Sequence, residues 1–164
     1  MTFDELNSKL WNGQNPSDWK QTSGGGWIHK RANVTREGLI SGNAIVWGRV
    51  SGDARVSGNA QVFGDAWVSG NAMVSGDAQV SGNARVSGNA RVSGDVWTKS
   101  PLYIMGSRCS LTNCKHGHIQ IGCECHTFAK WRKIGPQLAK ENKFTAEEIK
   151  EYTAYIELFA AIGR

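Results

Sequence analysis

A valine returns every six residues through the middle of the chain. The residues between two valines follow the unit Val-Ser-Gly-Asn/Asp-Ala-x, which offers one aliphatic and one small apolar position. Glycine followed by Asn or Asp supplies residue types that tolerate the backbone angles of a tight corner. The pattern predicts strands of about three residues, each centred on an inward valine and ended by a corner. The valines are Val50, Val56, Val62, Val68, Val74, Val80, Val86 and Val92.

One short step interrupts this period and decides where the array begins. Only four residues separate Val46 from Val50, in the stretch WGRV. Before Val46 the six-residue step resumes, so we interpret WGRV as a hexapeptide that lacks its Asn/Asp-Ala corner. Twelve units less two residues then span Ile28 to Trp97. This predicts four coils of three strands, in a stack about 20 Å tall.

The repeat resembles the hexapeptide repeat of left-handed parallel β-helices, in which three hexapeptides make one triangular coil. The resemblance covers residues 27–97 and implies a mainly β protein of about four coils. Because a solenoid needs a cap at each end, we expect a short N-terminal helical cap segment at 1–26 and a small C-terminal α+β domain at 98–164. Counting through the short step gives three columns of inward residues: Ile28, Val46, Val62 and Val80; Val34, Val50, Val68 and Val86; Ile40, Val56, Val74 and Val92.

Outward aromatic side chains gather on the first of these faces. The count places Trp27, Ile45, Trp47 and Phe63 there, with almost no charge beside them. Such a cluster should not face water. We expect residues 1–26 or a neighbouring subunit to cover it, and the alternative is a binding site for an outside partner.

The other two faces carry arginines, at Arg49, Arg55, Arg85 and Arg91. One interpretation is a solvated surface balanced by aspartates at the corners. The alternative is a footprint for an anion or a nucleic acid. The net charge of +5 is modest for a nucleic-acid binder, so direct DNA or RNA binding is not favoured.

Capping patterns predict the helices outside the repeat. Thr2 and Glu5 form a capping box that opens a short helix through about Trp11, and a loop then leads to the first coil. In the C-terminal segment Thr127 opens a helix that Gly135-Pro136 ends near Ile134. A second capping box, Thr145 with Glu148, opens a helix that ends before Gly163. Trp11 and Trp19 are expected to anchor the cap, and the apolar stripe of the last helix is Ile149, Tyr152, Ile156 and Phe159.

Three strands are expected between the array and these helices. They lie in LYIMG, CSLTNCK and HIQIGCE, and the last two meet at a turn at His116-Gly117. This stretch is rich in Cys and His: Cys109, Cys114, His116, His118, Cys123, Cys125 and His126. Strand alternation favours buried reduced cysteines that act as small apolar residues. The alternatives are a zinc site formed by some of them, and a nucleophile pair of Cys123 and His126.

The start of the chain bears on location. Met1 is followed by a polar, acidic stretch, and the sequence shows no signal peptide and no apolar run of membrane-spanning length. Four cysteines without an export signal indicate reduced thiols. We therefore expect a cytoplasmic protein that does not enter a membrane.

The chain as a whole resembles a group of phage and prophage proteins, in which hexapeptide runs precede a small C-terminal domain. The resemblance rests on the repeat and on two motifs, Gly106-Ser107-Arg108 and Gly122-Cys123 followed by Thr127 and an aromatic helix start. It implies a host bacterial cytoplasm, no metal or other cofactor, and Arg108 and Cys123 as the residues of most interest.

The function expected from these features is non-catalytic binding. The Gly-Ser-Arg turn offers backbone N–H groups and a guanidinium to an anion, and Cys123 with His126 lies in the second motif. Partners would be a bacterial host protein, such as a defence component, or a nucleotide-type ligand, with the chain forming a dimer or trimer. An acyltransferase-like enzyme is the alternative, but His29 is the only histidine of the coils. A structural or assembly protein is the third class.

Overall fold

The computed structural model describes residues 1–10 and 12–163. They form two compact units, one made of residues 1–89 with 93–100 and the other of 90–92 with 101–164. None of the described helices is long and apolar enough to cross a membrane.

A parallel β-solenoid of about four turns occupies the first unit, as the six-residue period predicts. The left-handed sense of the solenoid stays a prediction. An antiparallel strand precedes it, β1 (Trp19–Gln21). The strands of the repeat in this unit are β2 (Trp27–His29), β3 (Asn33–Val34), β4 (Ile45–Val46), β5 (Arg49–Val50), β6 (Arg55–Val56), β7 (Gln61–Val62), β8 (Trp67–Val68), β9 (Met73–Val74), β10 (Gln79–Val80), β11 (Arg85–Val86) and β13 (Val96–Trp97). One further strand of the repeat, β12 (Arg91–Val92), falls within the second unit.

The three faces have the register that counting through the short step predicts. On the first face β2, β4, β7 and β10 pair in parallel. On the second face β3, β5, β8 and β11 do the same. On the third, Ile40 bridges to Val56, and β6 pairs with β9. The interpretation of WGRV as a hexapeptide without its corner is therefore confirmed.

Inward valines and alanines fill the interior of the coils. From Ile40 to Val92 each large inward residue is at most 2% exposed, and so is each inward alanine. Burying one valine contributes about 1.5–3 kcal/mol, so the stacked columns are the main source of stability. Between coils the backbone N–H groups find carbonyl partners, for example Arg49 N to Ala66 O at 2.9 Å and Ser51 N to Val68 O at 2.9 Å.

The shortened corner at Gly48 brings the backbones of two coils close together. The backbone N–H groups of Trp47 and Gly48 both donate to Val62 O, at 2.7 and 3.0 Å. A Cβ atom on Gly48 would lie 2.8 Å from Ala66 O and 3.0 Å from Val62 Cγ1. Only glycine fits a backbone packed this closely.

The last strand of the solenoid ends the array with a tryptophan. Trp97 pairs with Val80, so it takes the place of an inward valine, and it is 2% exposed. The corner before it lacks the alanine of the repeat, and Asp95 adopts the left-handed region with φ of 64°. The Trp97 indole N–H donates to Gly94 O at 2.7 Å. A larger side chain thus covers the top of the valine column.

The N-terminal segment folds against the first face. Its helix α1 (Phe3–Lys9) begins with the predicted capping box, in which Thr2 accepts from the Glu5 N–H. The predicted helix end and anchor at Trp11 lie outside the described residues. The predicted loop was partly wrong, because β1 lies within it and pairs antiparallel with β2. Its three residues are too few for a strand pattern to show in the sequence.

The second unit contains a four-stranded antiparallel sheet and two helices. Its strands are β14 (Tyr103–Met105), β15 (Ser110–Lys115), β16 (His118–Ile121) and β17 (Glu124–Thr127), and its helices are α2 (Phe128–Glu141) and α3 (Ala146–Ile162). Both helix starts are confirmed, with Thr127 and Thr145 as caps. The core combines Leu111 and Ile119 of the sheet with side chains of α2 and α3: Trp131, Tyr152, Ile156 and Phe159.

Two predictions for this unit were wrong. HIQIGCE is not one strand, because the chain turns at Gly122, whose φ of 57° lies in the left-handed region, and returns as β17. Helix α2 does not end at Gly135-Pro136 but continues to Glu141. Leu138, beyond the proline, packs on the same core as Trp131, and this burial outweighs the cost of about 3 kcal/mol for a proline inside a helix.

We predict that Gly48→Ala destabilises the solenoid by about 1–3 kcal/mol, because the added methyl must displace the neighbouring coil. Gly38→Ala is the matched control, since a Cβ at Gly38 meets nothing within 4 Å. Urea unfolding of both variants measures the difference. Equal stability of the two variants would contradict the close approach at the shortened corner.

Candidate functional site

The aromatic cluster of the first face is covered by the chain itself. Leu6 of α1 is completely buried, and Phe3 packs edge-on against Trp27 with 5.9 Å between ring centres. The Trp27 indole N–H donates to Met1 O at 3.2 Å. Ile45, which the sequence places outward, is also completely buried here. The expectation that residues 1–26 cover this face is therefore confirmed for the described part of that segment.

His29 lies inside this cluster between two tryptophans. Its ring stacks on Trp47 at 4.0 Å and meets Trp19 edge-on at 4.9 Å. The side chain is only 4% exposed, and Nδ1 accepts the Arg31 N–H at 3.1 Å. Burial lowers the pKa of His29, although Asp18 acts in the opposite direction. A neutral imidazole packed in this way is poorly placed to exchange protons with a substrate.

Three predicted partner-binding residues belong to the same core. Trp27 is buried and Trp47 and Phe63 are half-buried, and all three pack with the N-terminal helix and β1. They hold the cap on the solenoid and do not form an open aromatic surface. The sequence identified the cluster correctly but could not choose between cover by the cap and use by a partner.

The Gly106-Ser107-Arg108 turn in the second unit is occupied by internal partners. The Ser107 N–H donates to Glu151 Oε1 at 2.9 Å, and the Arg108 N–H donates to Tyr152 Oη at 3.0 Å. Hydrogen bonds from Ser107 lower the pKa of Glu151. The Glu151 carboxylate therefore occupies the place that was expected to bind the anion of a ligand. A Cβ on Gly106 would lie 2.6 Å from Tyr152 Oη, which explains the glycine. The motif therefore holds α3 against the sheet.

The Arg108 guanidinium is held in the same way. Its Nη1 donates to Lys143 O at 2.9 Å and lies 3.5 Å from Glu148 Oε2, while Cζ is 4.3 Å from the centre of the Phe144 ring. An arginine with these three partners fixes the start of α3. The sequence pointed to Arg108 but not to its partners, because α3 lies far along the chain.

The cysteines differ strongly from one another. Cys114 is buried in a bulge of β15, between Asn113 and Lys115, and it is Asn113 that pairs with Ile119. Its Sγ lies 2.7 Å from Cys125 Sγ, and burial together with this contact raises the pKa of Cys114 to about 12. Cys109 and Cys125 are half-buried and Cys123 is exposed. Burial as a small apolar residue therefore describes Cys114 well and Cys123 not at all.

The Cys and His side chains do not come together at one point. His126 Nε2 lies 3.0 Å from Glu124 Oε2, and its ring packs against Trp131. His118 Nδ1 contacts His116 O at 2.8 Å. Among residues 1–10 and 12–163, no group of three His, Cys, Asp or Glu side chains could hold a metal ion. Within this same part of the chain, no hydrogen bond joins Cys123 to His126.

An apolar cavity opens between the sheet and the helices of the second unit. Its volume is about 210 Å³, and Cys123 and Gly122 of the turn form part of its rim. The polar side chains around it include Glu124, Asn142 and Thr153, and none of the lining residues is a cation. Apolar lining comes from the sheet and from both helices, and includes Ile121, Trp131, Leu138, Phe144, Ile149 and Ile156. Sequence reasoning found Cys123 but missed this cavity.

Arg49 and Arg85 lie on the second face of the solenoid, both exposed. Trp67 lies between them in register, with 38% of its surface exposed. The Arg85 Cζ is 5.6 Å from the centre of the Trp67 ring. Trp67 was not among the predicted site residues. An aromatic residue at an outward position that other units fill with Arg, Gln or Met could have pointed to it.

Comparison with known proteins supports the solenoid and no more. A family model described as YdcK β-solenoid repeat matches residues 49–64, 66–82, 78–94 and 84–98. The matches leave residues 1–48 and 99–164 uncovered. No curated protein and no solved structure matches the chain.

We predict that protonation of His29 destabilises the first unit. Burial lowers the pKa of His29 below 6.5 in the folded protein, so the unfolded chain binds the proton more readily. The free energy of unfolding therefore has its full value above about pH 6.5 and falls as the pH drops below it. His29→Phe keeps an aromatic ring and removes the titration, so its stability should fall less between pH 7.5 and 5.5. Urea unfolding across this range, with the exposed His116→Phe as control, is the measurement. Parallel curves for the wild type and His29→Phe would contradict the assignment.

Proposed function

We propose that this chain is a non-catalytic binding protein of phage type, which acts on a defence component of a bacterial host. The observation that carries the proposal is the apolar cavity of the second unit, bordered by the Gly122-Cys123 motif. The solenoid serves as a rigid scaffold or as the contact between copies in a dimer or trimer. The phage origin and the host cytoplasm rest on the family resemblance of the repeat and the two motifs.

The chemistry of the cavity favours a protein partner over a nucleotide signal. Its volume of about 210 Å³ is below the roughly 300–1,000 Å³ of ordinary small-molecule pockets. Its lining residues include Glu124 and no cation, so nothing in it would neutralise a phosphate. A single apolar side chain of a partner fits such a space, and anchors of this kind dominate the energy of protein interfaces.

The surroundings of the candidate catalytic residues argue for binding and against the acyltransferase alternative. His29 is stacked between Trp19 and Trp47 under the cap. His126 is engaged by Glu124 on the sheet. A general base must reach the proton that it removes, and neither imidazole is held in an open coil groove.

Filling the cavity tests the proposal. Ala139 of α2 lines it, and Ala129 of the same helix is exposed and does not line it. We predict that Ala139→Phe weakens binding of the host partner at least about tenfold, because a hot-spot anchor is displaced, and that Ala129→Phe leaves it unchanged. The measurement is affinity capture from a bacterial lysate with quantitative mass spectrometry, followed by calorimetry with the protein identified.

A second filling variant protects the test against a folding defect. Thr153→Phe fills the cavity from α3, and Ala154→Phe is its exposed control. Loss of the same partner in both filling variants, with unfolding temperatures close to wild type, supports the proposal. Equal capture by the filling and control variants would overturn it.

A further inference from the structure

One column of outward side chains on the solenoid combines charge with an exposed aromatic ring. Asn33, Arg49, Trp67 and Arg85 stack in register along the second face, one from each coil. The residues on the far side of each strand are small: Thr35, Ser51, Ser69 and Ser87. Arg49 and Arg85 lie two coils apart, about 10 Å, with Trp67 between them.

The Trp67 ring is held in place although it is exposed. Its indole N–H donates to Ser51 Oγ of the coil below at 3.0 Å, and the Arg85 guanidinium lies 5.6 Å from the ring centre. These two contacts limit the orientation of the ring while leaving 38% of its surface open. The aromatic residues of the first face are covered by the cap, whereas Trp67 has no such cover from the described residues.

The cations of this column are available for a ligand. In the part of the chain that the structure describes, no carboxylate lies within ion-pair distance of Arg49 or Arg85. The corner aspartate Asp53 forms an ion pair with Arg36 instead. At the upper end the Arg85 backbone N–H donates to Ser100 Oγ at 2.9 Å, and the exposed Lys99 precedes Ser100 in the chain.

We propose that this column binds a segment of single-stranded nucleic acid. An unpaired base stacks on Trp67, and neighbouring phosphates bind Arg49 and Arg85, with Lys99 extending the track. Aromatic platforms flanked by cations are the general means of holding unpaired strands. A duplex hides the faces of its bases and cannot use the ring, and an acidic peptide supplies no nucleobase to stack on it. This site is separate from the cavity of the proposed function.

Fluorescence anisotropy of a labelled ten-residue oligodeoxythymidine with the full-length chain tests the site at low salt. Trp67→Ala should weaken binding about tenfold, as expected for the loss of one stacked base, and Trp67→Phe should retain most of the affinity. Arg49→Gln should weaken binding and reduce the slope of log affinity against log salt by about 0.7. Arg55→Gln, an exposed arginine of the same coil on the third face, is the matched control and should change much less.

Several results would overturn the proposal: no measurable binding, an equal loss in Arg49→Gln and Arg55→Gln, or unchanged binding by Trp67→Ala. Equal displacement of the oligonucleotide by polyglutamate or by duplex DNA would also overturn it, since either would show a general response to charge. Ala139→Phe should bind the oligonucleotide as the wild type does. The solenoid site and the cavity can therefore fail independently.

Discussion

The structure depends on the stacking of one inward valine on the next along each face of the solenoid. This stacking requires that successive coils keep the same register, because a shift by one residue would turn every valine outward. This constant register aligns the backbone hydrogen bonds between coils, and it fixes the position of every outward side chain. The shortened corner at Gly48 preserves this register: the offset between stacked residues is 16 across it, from Val46 to Val62, and 18 in the coil that follows, from Val50 to Val68. The two-residue deletion therefore changes a corner and leaves the core intact.

The same constraint explains which parts of the fold the sequence could predict. A strict period of six residues specifies the strands, the faces and the outward aromatic cluster, and the capping boxes at Thr2 and Thr145 specify two helix starts. Non-repeated segments gave less information. The turn at Gly122 interrupts an apparently continuous apolar alternation, and α2 passes through Pro136 because Leu138 reaches the core beyond it. Contacts between distant residues, such as Arg108 with Lys143, left no local pattern to read.

For the candidate sites, burial separates structural residues from available ones. Trp27, Trp47 and the Gly106-Ser107-Arg108 turn are used inside the protein. The surfaces that remain open are the apolar cavity beside Cys123 and the column that contains Trp67. The cavity has an apolar lining with no cation, whereas the column has cations and one ring. They suit different partners, and the cap over the first face removes its aromatic cluster from the surfaces available to a partner.

Hydrogen exchange of the full-length chain, followed by mass spectrometry, measures whether the cap occupies the first face. A helix of seven residues such as α1 is not stable alone in water, so protection of its amides can come only from packing on the solenoid. We predict that amides of residues 6–10 exchange much more slowly than those of an unstructured peptide, and that they lose this protection in Leu6→Ala while the coils beyond Val50 keep theirs. Free exchange of residues 6–10 in the wild type would show that the aromatic face is open and would contradict the account.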